Sequence, residues 1–423
     1  MNKELVDLVT GQPVTDCAVV WPAIRYILEP LSGCAEYILS FTRYIVQLIS
    51  WLAWMTVVAA GWSILRKKSV RETAVTIAGV WLIILSVVVG VLLFPISWPR
   101  LVSPPGCRVV DFHSHTFYSH DGIKSPAQSS AFHHRLGYDA FYVTEHGHTN
   151  SFHHFPRGTQ LSTVFPGMEV STKERLSLLV LADQPYDGSQ FRDKTVKEVI
   201  DLAHYYGFVV VCPHWWKWRY FSWDELYRKG IDGFEIYNAG YRHFPAQERA
   251  QLIRFCQDHH LLMLGDTDWH GWGSMTDVWT VCAGNKKVDA QSLIQFLRKH
   301  GATRVLVNLR PENQSTMRYI FEPFAGIYYY CAALRLSHVC GWCGWIIGIL
   351  IARRFSWWRK IRRMMPQICG AGFLMMTLYC LIQWALLWPE NMVLGRLLAP
   401  VLGVLGIFWL IYGKFEDNKN PKA

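Results

Sequence analysis

Eight side chains able to hold a metal ion recur at short spacings through the middle of this 423-residue chain. His113 and His115 form an H-x-H pair, Glu145 and His146 are adjacent, Glu169 and His214 follow singly, and Asp268 and His270 form a D-x-H pair. Of 17 histidines, all but His338 fall between His113 and His300. Side chains alternate along a strand with period two, so an H-x-H or D-x-H at a strand end projects both groups to one side. Imidazole mixed with carboxylate is a ligand set for zinc, manganese or iron rather than calcium. One H-x-H means little alone. Its recurrence at several strand ends points to a metal centre.

The elements that must position these groups are short β-rich runs. Val109–Phe112, Ala140–Thr144, Thr163–Pro166, Leu178–Leu181, Phe208–Cys212, Gly233–Ile236 and Leu261–Gly265 read as strands, with amphipathic stretches such as TVKEVIDLAHYY between several of them. Such alternation predicts a parallel α/β barrel or a doubly wound sheet. In parallel barrels catalytic groups gather where the strands end. Residues spread from His113 to His270 can therefore converge on one mouth. No G-x-S-x-G elbow or Walker loop is present.

These residues stand in recognisable surroundings. VVDFHSHTFYSHDG, YVTEHGHT, FPGMEVST, VVVCPHWW, GFEIYN and LGDTDWH follow one another in order. Together they resemble the motifs of the polymerase and histidinol phosphatase (PHP) phosphoesterase family. The resemblance implies a distorted (β/α)7 barrel over about residues 101–320 with one to three divalent ions (Zn, Mn or Fe), which the apolar flanks described below would place between transmembrane helices. By that resemblance His113, His115, Glu169 and Asp268 hold one ion, and Glu169 bridges to a second that His214 also binds. His120, His146 and His270 hold a third. No side chain is then the nucleophile; a metal-activated hydroxide attacks a phosphomonoester or small phosphodiester. Two positions depart from the pattern. Ser177 stands where relatives often carry histidine, which leaves the second site one ligand short. SHDG offers both His120 and Asp121 for one role, and His120 is preferred.

Lys173, Arg175, Lys217, Arg219 and Arg242 lie beside these motifs as candidate contacts for a phosphorylated small-molecule substrate. Trp215, Trp216, Trp218, Trp269 and Trp272 crowd two of the motif loops, with core packing as the leading expectation. His133, His134, His204, His259 and His260 fall on expected helices as surface or capping residues.

Both flanks are apolar. A helix needs about 20 apolar residues to cross a bilayer. Runs at 44–64 and 74–94 lie in an N-terminal membrane region, 1–100, and runs at 330–352, 367–388 and 391–412 in a C-terminal one, 321–423. Residues 18–40 contain Arg25, Glu29 and Glu36 and read as interfacial or packed against the helix bundle. The middle region carries 23 Lys+Arg against 22 Asp+Glu, so +9 of the net charge of +10 belongs to the flanks. That balance argues against a track for long nucleic acid, although nuclease-like trimming of nucleotides remains an alternative, as does a non-catalytic metal-binding membrane scaffold or sensor. Arg66, Lys67, Lys68 and Arg71 in one loop, and Arg353, Arg354, Arg359, Lys360, Arg362 and Arg363 in another, predict cytoplasmic loops. The catalytic region is then expected outside the cytoplasmic membrane. The cysteines do not fix the compartment, and oligomeric state is not legible.

Overall fold

The computed structural model describes residues 5–31, 33, 35, 44–94, 98–156, 161–241, 244–273, 277–284, 289–308, 320–334, 336–387, 391 and 393–419. The chain divides into two compact units. One contains Pro22–Ser97 and Pro311–Ala423, the other Lys3–Trp21 and Trp98–Arg310.

The second unit is mixed α/β. Its strands are β1 (Leu5–Asp7), β2 (Gln12–Pro13), β3 (Ala18–Val20), β4 (Arg100–Val102), β5 (Cys107–Asp111), β6 (Ala140–Val143), β7 (Thr163–Ser171), β8 (Ser177–Leu181), β9 (Val209–Cys212), β10 (Gly233–Asn238), β11 (Leu262–Asp266), β12 (Val278–Ala283) and β13 (Thr303–Asn308). Eleven of them form one sheet in the order β11-β10-β9-β8-β7-β6-β5-β12-β13-β1-β2. Every expected strand is present, but the sheet is not uniformly parallel. β5, β6 and β7 pair in parallel, as do β9, β10 and β11. β8 runs antiparallel to both of its neighbours. The turn from β7 to β8 is too short for a crossover helix, so the two form a hairpin instead.

The two ends of the β5–β11 run meet. A Cβ on Gly265 would lie 2.3 Å from Val305 Cγ1, so only glycine lets β11 press against β13. Gly265 N donates to Thr280 Oγ1 at 2.8 Å, which ties β11 to β12. Beyond the strands, Asp268 N donates to His113 O and His115 N to Trp269 O, each at 2.8 Å. The loop after β11 is thereby stitched to the loop after β5. Val110, Phe112, Tyr142, Phe165, Leu179, Val211 and Leu264 fill one buried cluster between these strands. Helices Pro126–Arg135, Val196–Tyr205 and Trp223–Lys229 each begin at a capping box, Ser125 with Gln128, Thr195 with Glu198 and Ser222 with Glu225, which satisfies otherwise orphaned amides of the first turn.

The expected N-terminal boundary needs correction. Residues 1–100 are not all membrane region, because β1 pairs with β13 and β3 with β4. Arg304 on β13 holds Asp16 through two bonds of 2.7 and 2.9 Å. Such pairing joins residues far apart in sequence and leaves little local signal.

In the first unit, helices span Tyr44–Leu65, Val70–Leu93, Glu322–Ala333, Leu336–Ala352, Ser356–Ile382 and Ala399–Lys419. Among the described residues, four stretches are long and apolar enough to cross a membrane: Ile45–Leu65, Val70–Leu93, Arg363–Leu386 and Gly395–Lys414. Their apolar side chains face outward: Ile49 is 60% exposed and Met375 68%. That distribution suits lipid and opposes water. The run at 330–352 is not one span, since the chain leaves helical geometry at Leu334 and the helix that follows has 17 residues. At the expected interfacial segment, Arg25 pairs with buried Glu29, which also accepts from Tyr330 Oη at 2.6 Å.

Candidate metal centre

Four ligand atoms converge at the mouth defined by β5, β7 and β11. One atom each from His113, His115, Glu169 and Asp268 lie within 4.8 Å of one another, and all four residues are buried. His113 Nε2 is 3.2 Å from Asp268 Oδ1 and 3.3 Å from Glu169 Oε2. His115 Nε2 is 3.2 Å from the same Asp268 oxygen. Although His115 Nε2 and Asp268 Oδ1 are buried and close together, neither makes a well-aligned hydrogen bond among the described residues. A buried polar atom without such a bond costs about 1–3 kcal/mol. Two of them aimed at one point fit a cation between them. Asp268 and His214 also adopt left-handed backbone angles, φ 48° and 27°. Such strain in non-glycine residues concentrates at functional sites.

Glu169 lies within β7 rather than after it, and its carboxylate faces two ways. Oε1 is 3.3 Å from His214 Nε2, while Oε2 is 3.1 Å from His146 Nδ1. A second group joins His115, His146 and His270, and a third joins His120, Asp121 and His146. His120 and Asp121 both belong to the third group, and they face it differently. Asp121 Oδ2 is 3.4 Å from His146 Nε2 and 3.2 Å from His270 Nε2. His120 comes within 3.7 Å of Asp121, and its side chain is 53% exposed. Both residues stand beside the pocket, but Asp121 faces the two histidines together.

Charge within the cluster is arranged for a divalent ion. Burial, with His270 and His146 nearby, lowers the His115 imidazole to about 3 and so keeps it neutral. Burial opposes charge on His146 too, but Glu169 and Asp121 overcome it and raise that group to about 10. His113 is likewise raised, by Asp268 and Glu235 against burial. Glu169 and Asp268 resist the upward push of burial and are held well below the usual carboxylate range by the surrounding imidazoles. Carboxylates are thus ionised, and a cation would replace the protons now shared among the rings.

A second layer orients these ligands. Glu235 in β10 accepts from His113 Nδ1 at 2.7 Å, from the His214 amide at 2.8 Å and from Asn238 Nδ2 at 2.9 Å. Asp111 accepts from Thr267 N at 3.0 Å and from His133 Nε2 at 3.0 Å. His133 is accordingly not a surface residue; it is fully buried and stacks on Phe141 at 3.9 Å. Glu145 turns from the centre, accepting from Thr116 N and, at 2.5 Å, from Ser119 Oγ. Ser119 also bonds His115 Nδ1 at 3.1 Å. Such partners fix ring orientation and tautomer. Ser177 pairs with Ser171, one step of alternation from the Glu169–Leu179 pair and on the same face of the sheet.

The expected substrate contacts divide. Lys217 Nζ donates to Tyr241 Oη, which sequence reasoning missed. Arg219 is held by Glu248 at 2.7 Å. Lys173 and Arg175 occupy the exposed β7–β8 turn, where the Lys173 charge acts on Glu198. Arg242 lies outside the described residues, as does His243. Of the tryptophans, Trp215, Trp216 and Trp269 are buried, whereas Trp218 and Trp272 are 39% and 37% exposed.

No family model matches the sequence, and no curated protein matches it. Solved structures do match. One is a protein from Bifidobacterium adolescentis assigned as a metal-dependent phosphoesterase, at 16% identity and TM-score 0.36, covering 47% of this chain and 98% of that one. Another is PsfC from Pseudomonas syringae, at 17% identity and TM-score 0.36, covering 54% and 100%. A third is a two-domain protein from Bacteroides vulgatus containing a predicted PHP-like metal-dependent phosphoesterase, at 19% identity and TM-score 0.35, covering 51% and 69%.

Proposed function

We propose that this chain is a membrane-anchored, metal-dependent phosphoesterase acting on a phosphomonoester or small phosphodiester. The observation that carries the reading is the buried convergence of His113, His115, Glu169 and Asp268 on one point. The motif order supports the phosphoester assignment, as do the hydrogen bonds that join the loop after β11 to the loop after β5.

His113, His115, Glu169 and Asp268 would hold one ion, Glu169 with His214 a second, and His146, His270 and Asp121 or His120 a third. Bound divalent ions supply Lewis acidity and make water a competent nucleophile near neutral pH. The chain's own groups do the rest. Glu169 joins the sites by offering one oxygen to each side. Glu235 fixes His113 and the His214 backbone, so neither ligand must reorganise during the reaction. Ser177 leaves the second site with fewer protein ligands than the first, and that site is the weakest in this reading.

The membrane assignment carries a topology. With both basic loops cytoplasmic, the catalytic unit faces outward only if Leu336–Ala352 also crosses. Its 17 residues rise roughly 26 Å at 1.5 Å per residue, at the short end of what a bilayer accepts. The substrate is then a phosphorylated small molecule met outside the cytoplasm. The near-neutral middle region favours a short substrate over long nucleic acid.

The full chain, purified in detergent, tests the reading on a panel of sugar phosphates, nucleotides and phospholipid headgroups, before and after metal removal. Hydrolysis that is lost with the metal and restored by zinc, manganese or iron is expected. Release of oligonucleotide ends alone would instead favour the trimming nuclease. Metal bound without turnover on any member would favour the scaffold.

A further inference from the structure

Resting on the phosphoesterase reading above, we propose that Lys217 and Tyr241 form a two-point clamp for the non-bridging oxygens of the substrate's phosphoryl group. Lys217 Nζ donates to Tyr241 Oη. It stands 3.8 Å from the centre of the Tyr241 ring and 4.7 Å from that of Trp218. The Tyr241 ring is in turn 4.8 Å from the His214 ring, centre to centre. The pair therefore adjoins the side of the centre that Glu169 and His214 define. Both groups feel the same three carboxylates, Asp268, Glu169 and Asp121. On Lys217 these sustain the charge that burial disfavours, and on Tyr241 they add to burial in keeping the phenol protonated. The result is one cation and one neutral O–H donor at the edge of an anionic cup.

The clamp is built into the backbone. Tyr241 N donates to Asn238 Oδ1 at 2.8 Å, and Asn238 also holds Glu235. Tyr241 O accepts from Trp216 Nε1 at 2.9 Å. Trp216 is itself locked by stacking on Phe244, 4.2 Å away and inclined by 9°. Lys217 N donates to His214 O at 2.9 Å, so the lysine rides on the turn that carries a ligand. Tyr241 is 37% exposed and Lys217 is exposed as well, which leaves both donors within reach of an entering anion. Arg219, the next cation along the chain, is taken up by Glu248. A phosphoryl group presents several acceptor oxygens, and charge-assisted donors are the strong partners for them.

The experiment uses the full-length, metal-loaded protein and inorganic phosphate as the probe, with Lys217→Met and Tyr241→Phe. Metal per chain should stay at the wild-type value. Phosphate affinity should fall about tenfold or more in each variant, the loss expected for a hydrogen bond to a charged group. The double variant should lose less than the product of the two, because the residues act on one ligand. Variants that bind phosphate as tightly as the wild type would overturn the clamp. So would variants that lose metal in parallel, since the pair would then be supporting the ligands. A wild type that binds phosphate through this pair yet hydrolyses no phosphoester would overturn the enzymatic reading and leave the clamp standing.

Discussion

The Oδ2 atom of Asp121 lies 3.2 Å from Nε2 of His270. The same oxygen reaches His146, so one carboxylate addresses two imidazoles that arrive from different strand ends. A carboxylate between two rings is a ligand arrangement, whereas His120 beside it is half in solvent.

Asp121→Asn should therefore remove about one ion per chain, and His120→Gln should cost less than one. Loss of a primary ligand is expected to exceed the 10–100-fold affinity change typical of outer-shell partners. Elemental analysis of the two purified variants makes the comparison. Equal or greater loss in His120→Gln would return the ligand role to the histidine.

Metal uptake should expel protons. His146 is raised to about 10 without metal, so it is protonated at neutral pH and must give up that proton to bind. His113 is raised as well, whereas His115, lowered to about 3, is already neutral there. Affinity should thus increase as pH rises from 6 through 9, by up to about tenfold per pH unit for each proton released. A weakly buffered titration with zinc reads the protons directly. No release near pH 7 would contradict the charge arrangement.

The H-x-H pair was legible because it obeys period two. H-x-H follows β5 in extended chain, whereas D-x-H lies beyond the end of β11, where the left-handed backbone of Asp268 departs from strand alternation. Asp121 was not legible, because it sits in an irregular turn where neither periodicity nor spacing separates it from His120. Glu235 read as part of a strand, and only the folded chain shows it reaching both His113 and His214. The break at Leu334 was not legible, although Arg335 follows it directly, because the apolar run resumes beyond His338 and hydropathy averages across the interruption. The pairing of β1 with β13 joins residues some 300 positions apart and could not be read locally.

Glu235→Gln removes the anion but nearly preserves shape. It should weaken metal binding on the order of 10–100-fold, the range for outer-shell partners, and slow hydrolysis at limiting metal. Excess metal should restore much of the rate. A rate that stays low at saturating metal would place Glu235 in the reaction itself.

Sidedness rests on the basic loops, and a reporter decides it. Alkaline phosphatase fused after about residue 320 should be active if the catalytic unit is extracytoplasmic, because short Lys/Arg-rich loops stay inside. The same fusion after residue 360 should be inactive. The reverse pattern would place the catalytic unit in the cytoplasm and leave the metal centre unaffected.

The central claim is that Asp268, His115, His113 and Glu169 share an ion that performs phosphoester hydrolysis. Asp268→Asn keeps the size of the side chain and removes the charge at the point where the ligand atoms meet. Turnover of the best phosphoester substrate, measured beside metal content on the same folded preparation, is the most direct test. Turnover should fall on the order of a thousandfold or more, as for removal of a principal electrostatic element, together with loss of at least one ion per chain. Wild-type turnover in a folded Asp268→Asn protein that has lost its metal would contradict it.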